Sequence, residues 1–311
     1  MMIDVFFLLL GLIVLVFGGD FLVKGAVDIA LKFRISPLII GLTIVAFGTS
    51  APELLVSVNA AIKGSPGIAV GNVIGSNIAN IAFVLGATAF IYPVTVDKQI
   101  KRVDYPFMLL ATAMFWLFSF NGIISTVEAL ILTLLLVLYT LVLIRIVTKG
   151  RAGKKDEDVV SVSMWKASGF LLLGFVGLYF GSEWLLSGAV GLARVAGMEE
   201  HVIGVTIVAV GTSIPELITS CVAAFKKESG ISLGNLVGSN IMNVFCVMGI
   251  TGLIKPVDVD SSLLQFDVFW FVATAIVIFP LIYLFLNIRR IHGAILLLIY
   301  FAYIFLVVKS I

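Results

Sequence analysis

Long apolar segments alternate with short polar ones along almost the whole chain. Ten segments are apolar and long enough to cross a hydrocarbon core of about 30 Å. They lie at residues 4–33, 36–62, 67–92, 103–120, 123–147, 165–195, 202–225, 231–253, 266–286 and 291–308. The pattern therefore predicts an all-α integral membrane protein with ten transmembrane helices. We read the first segment as a span and not as a cleaved signal peptide, because no basic residue precedes it.

Two polar motifs interrupt these apolar segments, and each occurs twice. A shift of 163 residues aligns GTSAPE at 48–53 with GTSIPE at 211–216, and GNVIGSNIAN at 71–80 with GNLVGSNIMN at 234–243. From residue 41 to residue 86, 26 of 46 positions are identical between the copies. The chain is thus expected to be a duplication of a five-span unit. Because five is odd, the copies should enter the membrane from opposite sides, as two inverted five-helix repeats.

The repeat divides the chain into residues 1–148, a hydrophilic linker at 149–163, and residues 164–311. Composition agrees with a membrane protein, since 61% of the residues are hydrophobic and only 12% are charged. With the N-terminus outside, one set of loops carries fifteen of the 20 Lys and Arg residues, six of them in and around the linker. This asymmetry predicts a multi-pass protein of the cell membrane with a cytoplasmic linker and both termini extracellular.

The first motif places a carboxylate deep inside a span in each half, at Glu53 and Glu216. An ionised carboxylate there costs about 2.5–3.5 kcal/mol on insertion scales, so something must compensate it. Protonation or a hydrogen bond to a neighbouring helix would do so, but a symmetric pair among hydroxyls favours bound cations. Pro52 lacks an N–H and should free carbonyls of the preceding turn. Oxygen-only coordination selects hard cations such as Na⁺, Ca²⁺, Mg²⁺ or K⁺.

The second motif adds small residues and further oxygen atoms. Glycines four residues apart, such as Gly71 and Gly75, allow helices to approach closely in a membrane. Packing alone could explain the motif, but its recurrence beside the glutamate motif favours a shared polar site. Its hydroxyl and amide residues at that site would be Ser76, Asn80, Ser239 and Asn243.

One further pair of acidic residues lies inside apolar segments. Asp20 precedes Lys24 by four residues, and this spacing predicts an ion pair on one helix face. The repeat equivalent of Asp20 is Glu183, which has Ser187 at the matching place. We therefore expect a structural or access-path role for both acidic residues, and not direct coordination.

The doubled motifs resemble the alpha repeats of the sodium/calcium exchangers in the cation/calcium antiporter superfamily. The resemblance covers essentially the whole chain and implies an alternating-access antiporter that exchanges Na⁺ for Ca²⁺. It implies that Glu53 and Glu216 bridge Ca²⁺ with the backbone oxygens of Thr49 and Thr212. It further implies that the same glutamates and the remaining oxygen donors form the Na⁺ sites. The full implied set is Ala46, Thr49, Ser50, Glu53, Ser76, Asn80, Ala209, Thr212, Ser213, Glu216, Ser239 and Asn243.

Asn243 departs from some family members, which carry Asp at this position. The resemblance associates an acidic residue here with K⁺ coupling, so Asn243 weakens the case for K⁺ co-transport. Two carboxylates would neutralise one Ca²⁺, whereas the family's usual three Na⁺ would leave one net positive charge, which predicts electrogenic exchange. The Ca²⁺/H⁺ exchangers of the superfamily, K⁺-dependent exchange and a cation channel remain alternatives.

Other classes of partner and activity find no support in the sequence. No nucleophile–base pair or histidine cluster lies near the polar centre, so we do not expect an enzyme. The expected partners are the transported Na⁺ and Ca²⁺ ions and the lipid bilayer. We expect no cofactor, no nucleic acid and no obligatory protein partner.

Overall fold

The computed structural model is almost entirely helical and describes residues 2–152, 163–197, 211–260 and 263–310. The helices are α1 (Met2–Phe33), α2 (Pro37–Thr49), α3 (Ala51–Ile62), α4 (Pro66–Ile91), α5 (Tyr105–Ser119), α6 (Thr126–Ala152), α7 (Met164–Val195), α8 (Ile214–Phe225), α9 (Ser229–Ile254), α10 (Leu263–Leu284) and α11 (Arg290–Ser310). Most of the predicted linker lies outside the described residues, as does the start of the seventh predicted span.

Seven helices within the described ranges are long and apolar enough to span a membrane, or eight if the bent pair α2–α3 counts as one span. These lengths confirm a multi-pass, all-helical membrane protein. Helix α5 has 15 residues and continues directly from the π-helical turn Ile100–Asp104, whereas α8 has only 12 residues, which is short for a span. The ten predicted spans are therefore not confirmed by this count.

Helices α1 and α7 form a close antiparallel pair along a seam of glycines. A Cβ atom at Gly18 would lie 2.8 Å from the Leu178 nitrogen, and one at Gly25 would lie 2.8 Å from the Ala167 oxygen. The order is antiparallel because a later residue of α1 meets an earlier residue of α7. Gly11, Gly18 and Gly25 correspond by the 163-residue shift to Gly174, Gly181 and Gly188, which line the same seam. Both partners therefore approach backbone to backbone, as small residues allow in lipid.

Four two-residue strands, which the sequence does not predict, connect the two halves of the chain. β1 (Val94–Thr95) pairs with β4 (Asn287–Ile288), and β2 (Ile123–Ile124) pairs with β3 (Val257–Asp258), both antiparallel. The repeat shift carries β1 onto β3 and, with one extra residue, β2 onto β4. Each half thus supplies one strand to each pair.

A second relationship repeats within each half. The Tyr139 hydroxyl donates to Asp104 Oδ1 at 3.0 Å, and the Tyr303 hydroxyl donates to Asp267 Oδ1 at 2.8 Å. Asp104 and Asp267 are 163 residues apart and end equivalent π-helical turns, at Ile100–Asp104 and Leu263–Asp267. These bonds tie the fourth predicted span of each half to its fifth.

The predicted ion pair between Asp20 and Lys24 is wrong. Asp20 Oδ1 pairs instead with Lys226, which follows α8, and the Lys226 ammonium also donates to the Asp20 carbonyl at 3.2 Å. The Lys24 ammonium lies 4.6 Å from the centre of the Phe170 ring on α7. The four-residue spacing allows a local pair, but α8 brings a competing cation to Asp20 and Phe170 offers Lys24 a cation–π contact.

Candidate ion-binding site

A new helix starts within the first motif in both halves. Helices α2 and α3 meet at an angle of 41°. The break is at Ser50, with φ −86° and ψ 3°, and Pro52 is the second residue of α3. Ser213 has nearly the same backbone, φ −89° and ψ 5°, before Pro215 at the second position of α8. Because proline fits the first turn of a helix and not its interior, a new helix starts at each motif. Each new helix carries its glutamate in the first turn.

The second motif lies on α4 and α9, and a π-helical turn follows it in each. The turns run from Ala79 to Leu85 and from Asn243 to Met248. Asn80 and Asn243 therefore lie at the point where the helical repeat widens, a feature that recurs at functional sites. Gly234 and Gly238 of α9 pack on α2 so closely that a Cβ atom at Gly238 would lie 2.8 Å from that of Ala46. This contact confirms the expected close helix approach in the second half. The same expectation is wrong for the first half, where a Cβ atom at Gly71 or Gly75 would meet no described atom within 4 Å.

The predicted ligand residues are buried together. The fully buried residues are Glu53, Glu216, Asn80, Asn243, Ser213 and Ser239, and Thr49, Ser50 and Ser76 are buried almost as deeply. Within the described part of the chain, both carboxylate oxygens of each glutamate lack a hydrogen-bond partner, as do both side-chain polar atoms of Asn80 and Asn243 and the hydroxyls of Ser50, Ser76 and Ser213. Burying a polar group without a partner costs about 1–3 kcal/mol, and more for a charge. A cluster of buried oxygen atoms that accept no hydrogen bond is typical of a site that coordinates a cation.

The two glutamates face the same space. The Glu53 carboxyl is close enough to act electrostatically on Glu216. Thr49 and Ser50 of the first half lie beside Glu216, and Ser76 lies beside Glu53. None of these neighbours makes a hydrogen bond of ordinary geometry to either carboxylate. The structure thus brings the first motifs of both halves together, although they are 163 residues apart.

Two asparagines that the sequence analysis did not select hold the motifs together. The Thr49 hydroxyl lies 3.0 Å from Asn235 Oδ1 and 3.4 Å from Ser239 Oγ, which joins the first motif of one half to the second motif of the other. Asn235 Nδ2 donates to Ser220 Oγ at 3.1 Å. The equivalent Asn72 donates to Ser57 Oγ at 2.9 Å and to the Glu53 carbonyl at 3.1 Å. The repeat pairs Asn72 with Asn235 and Ser57 with Ser220, and these two identities are the sequence signal that could have indicated a role at the site.

Three predicted ligands differ from the rest. The Ala46 carbonyl accepts a bond from the Ser50 nitrogen at 3.0 Å, so the expectation that Pro52 frees this carbonyl from the helix is wrong. The Thr49 hydroxyl is 3.3 Å from the same carbonyl. Thr212 lies between Gly211 and Ser213 and is partly buried. Ala209 lies outside the described residues.

The donor set decides what the site can bind. No group of three or more His, Cys, Asp and Glu side chains that could hold a metal occurs in the described ranges. The site instead combines two carboxylates with hydroxyl and amide oxygens. Hard cations such as Na⁺ and Ca²⁺ take this kind of donor, whereas transition metals favour imidazole or thiolate. The geometry therefore fits the binding of alkali or alkaline-earth cations.

Comparison with known proteins gives the same assignment. Residues 3–145 and 166–309 match the family model described as sodium/calcium exchanger protein. The chain is 36% identical to the putative antiporter CaxA of Alkalimonas amylolytica over the full length of both chains. It is 32% identical to the sodium/calcium exchanger MaX1 of Methanosarcina acetivorans, with 96% of each chain covered.

A solved structure agrees with these sequence matches. The sodium-calcium exchanger NCX_Mj, in crystals soaked with Na⁺ and Sr²⁺, is 32% identical and superposes with a TM-score of 0.83 over 97% of each chain. Family model, full-length relatives and fold thus agree over nearly the whole sequence. The chain belongs to the sodium/calcium exchanger family.

Proposed function

We propose that this protein exchanges Na⁺ for Ca²⁺ across the cell membrane by alternating access. One observation carries the proposal: two buried glutamates from related motifs lie close together among oxygen atoms that have no hydrogen-bond partner in the described ranges. Membership of the family and the similarity to MaX1 and NCX_Mj, both named sodium/calcium exchangers, support Na⁺ and Ca²⁺ as the substrates.

The proposed architecture has ten spans in two inverted repeats, residues 1–148 and 164–311, joined by a cytoplasmic linker at 149–163 with both termini outside. The antiparallel packing of α1 and α7 supports it, because these helices are equivalent in the repeat and run in opposite directions. The crossed strand pairs support it as well, because each joins one half to the other. In this plan α2 and α3 form one broken span, and α8 is the second part of its equivalent.

In the proposed site Glu53 and Glu216 bridge Ca²⁺ together with the backbone oxygens of Thr49 and Thr212. The hydroxyls of Ser50, Ser76, Ser213 and Ser239 and the Ala46 and Ala209 carbonyls complete the Na⁺ sites, and Asn80 and Asn243 border the centre. Because the Ala46 carbonyl already accepts a backbone hydrogen bond, it has one lone pair left for an ion once the Thr49 hydroxyl turns away. Asn72 and Asn235 position the motifs.

Shared ligands couple the movement of Na⁺ to that of Ca²⁺. The same two carboxylates serve both ions, so Ca²⁺ and a full set of Na⁺ cannot be bound together. Two negative charges neutralise one Ca²⁺ but leave one positive charge with three Na⁺. We therefore propose that exchange moves net charge, and each elementary charge is worth about 2.3 kcal/mol per 100 mV.

The test is ion flux in proteoliposomes. Vesicles loaded with Na⁺ and diluted into Na⁺-free buffer should take up Ca²⁺, and an inside-negative potential set with K⁺ and valinomycin should slow this uptake, because Na⁺ exit then carries the net positive charge outward. Uptake that ignores the Na⁺ gradient and follows a pH gradient would show a Ca²⁺/H⁺ exchanger instead. Steps of many ions in single-channel recording would refute coupled exchange.

A further inference from the structure

The ion pair between Asp20 and Lys226 has an unformed counterpart in the other half. The 163-residue shift carries Asp20 onto Glu183 and Lys63 onto Lys226. Asp20 of α1 therefore pairs with the lysine after α8, and the equivalent pair would join Glu183 of α7 to Lys63 after α3. Glu183 and Lys63 are both exposed and make no ion pair with any residue that the structure describes.

The helix packing beside the two pairs also differs: it is tight beside Asp20 and open beside Glu183. Beside Asp20, helix α1 rests on α8, where a Cβ atom at Gly19 would lie 2.9 Å from the Ile218 side chain. The repeat equivalent of Ile218 is Leu55 on α3, which is 56% exposed. A cleft of about 240 Å³ lies between α3 and α7 there, lined by Leu55, Pro52 and Tyr179 among others. One side of the molecule is closed by α1, and the equivalent side beside α7 is open next to the glutamate motif.

The acidic residues lie on opposite sides of the midpoint of the helix pair. Gly11 of α1 lies opposite Leu185 of α7, and Gly18 lies opposite Leu178. Glu183 is therefore level with residue 13 of α1, seven residues before Asp20. At 1.5 Å per residue this separates the two carboxylates by about 10 Å along the pair. In the proposed topology the Asp20 pair faces the cytoplasm and the Glu183 pair faces outside.

We infer that Asp20–Lys226 and Glu183–Lys63 are alternative ion pairs, and that each closes one face of the transporter in turn. The inference rests on the proposed alternating access between inverted repeats. In such a mechanism each half adopts in turn the conformation of the other, so the pair that is formed in one orientation is replaced by its repeat equivalent in the opposite orientation. In this structure the Asp20 pair is formed and the cleft beside α7 is open. In the opposite orientation Glu183 and Lys63 pair, α7 rests on α3, and the Asp20 pair is separated.

The strength of the formed pair suits such a switch. The Asp20 side chain is 45% exposed and the Lys226 side chain 35% exposed, so water screens the charges. Pairs of this kind are weak, and the pair can be broken in every cycle. Either pair should therefore favour one orientation of the transporter without preventing the change to the other.

The test measures how often Lys63 and Glu183 meet. In a chain with Cys221 and Cys246 replaced by Ala, the double variant K63C/E183C is treated with a cleavable bifunctional maleimide in proteoliposomes. We expect linking during Na⁺/Ca²⁺ exchange, loss of exchange in the linked protein, and recovery after cleavage. D20C/K226C should behave in the same way.

Removal of the opposing pair supplies the directional test. Lys226→Gln should raise the linking rate of K63C/E183C about two- to fivefold, the range expected for a surface ion pair, and Asp20→Asn should do the same. Lys227→Gln is the matched control, because Lys227 is the adjacent exposed lysine and the structure gives it no ion pair among the described residues. Equal rates for Lys226→Gln and Lys227→Gln would overturn the inference, as would a K63C/E183C protein that exchanges ions and never links. Absence of Na⁺-driven uptake in the unlinked parent would instead overturn the proposed function.

Discussion

The Thr49 hydroxyl lies 3.0 Å from Asn235 Oδ1, and this contact joins the two halves of the chain within the proposed ion site. Asn235 is held in turn by its bond to Ser220, on the same half as itself. The position of the first-half threonine thus depends on an amide from the second half. Changes at Asn235 should reach the ions through Thr49.

Replacing Asn235 by Ala should weaken ion binding more than it slows turnover. The variant leaves Thr49 without its nearest partner, and a lost hydrogen bond of about 0.5–1.5 kcal/mol corresponds to a rise of about two- to tenfold in half-saturating Ca²⁺. Asn72→Ala should act in the same direction. The measurement is initial uptake against Ca²⁺ concentration, with exposed Asn59→Ala as control. If the Ca²⁺ concentration at half-maximal uptake is unchanged in both variants, the two asparagines do not support the ion-binding residues.

Either Glu53→Gln or Glu216→Gln should reduce Na⁺-dependent Ca²⁺ uptake by at least about 100-fold. In the proposed site, each change removes one of the two carboxylates that would face a divalent ion away from water, where charge interactions are strong. The control is Glu128→Gln, whose carboxylate caps α6 by accepting from the Ser125 nitrogen at 2.8 Å, a role that an amide oxygen can keep. Normal transport by either site variant would contradict the assignment.

Asn243→Asp should change ion selectivity or make exchange depend on pH. Both polar atoms of the Asn243 amide are buried and have no hydrogen-bond partner among the residues described, so a third carboxylate would face the proposed ion site or take up a proton. Uptake is compared across Na⁺, K⁺ and pH gradients, with the loop variant Asn121→Asp as control. A profile identical to that of the parent would place Asn243 away from the ions.

Gly174→Ala should destabilise the protein, whereas Gly169→Ala on the same helix should not. A Cβ atom at Gly174 would lie 2.6 Å from the Leu22 nitrogen, but one at Gly169 would meet no described atom within 4 Å. Alanine favours a helix over glycine by about 1 kcal/mol, so the control should be neutral or slightly stabilising. Thermal unfolding in detergent compares the two. Equal melting temperatures would show that α1 and α7 do not pack this closely.

Tyr139→Phe should cost more stability than Tyr303→Phe. Each change removes the hydroxyl that donates to an aspartate, and an unpaired buried acceptor costs about 1–3 kcal/mol. Asp104 is fully buried, whereas Asp267 is partly exposed and water can replace its lost partner. The free energy of unfolding of both variants measures the difference. A larger loss for Tyr303→Phe would contradict this ranking.

The sequence predicts the membrane class and the two motifs because both depend on local pattern. Apolar length indicates a span, and Pro52 indicates where a helix restarts. It does not predict that Asn235 holds Thr49, because that bond crosses between helices far apart in the chain. The Asp20–Lys24 prediction failed for the same reason, since spacing along one helix says nothing of a lysine that another helix brings nearby. The four strands were missed because two residues carry no periodic signal.

The crossed strand pairs also bear on how the molecule is made. β1 and β2 of the first half pair with β4 and β3, which lie in the second half. The first half alone therefore leaves its strand edges open, and open edges invite wrong pairing. Because synthesis proceeds from the N-terminus, the first half of the chain must wait in the membrane until residue 288 has been added. Pairing of the strands is thus completed only when β4, late in the second half, has been made.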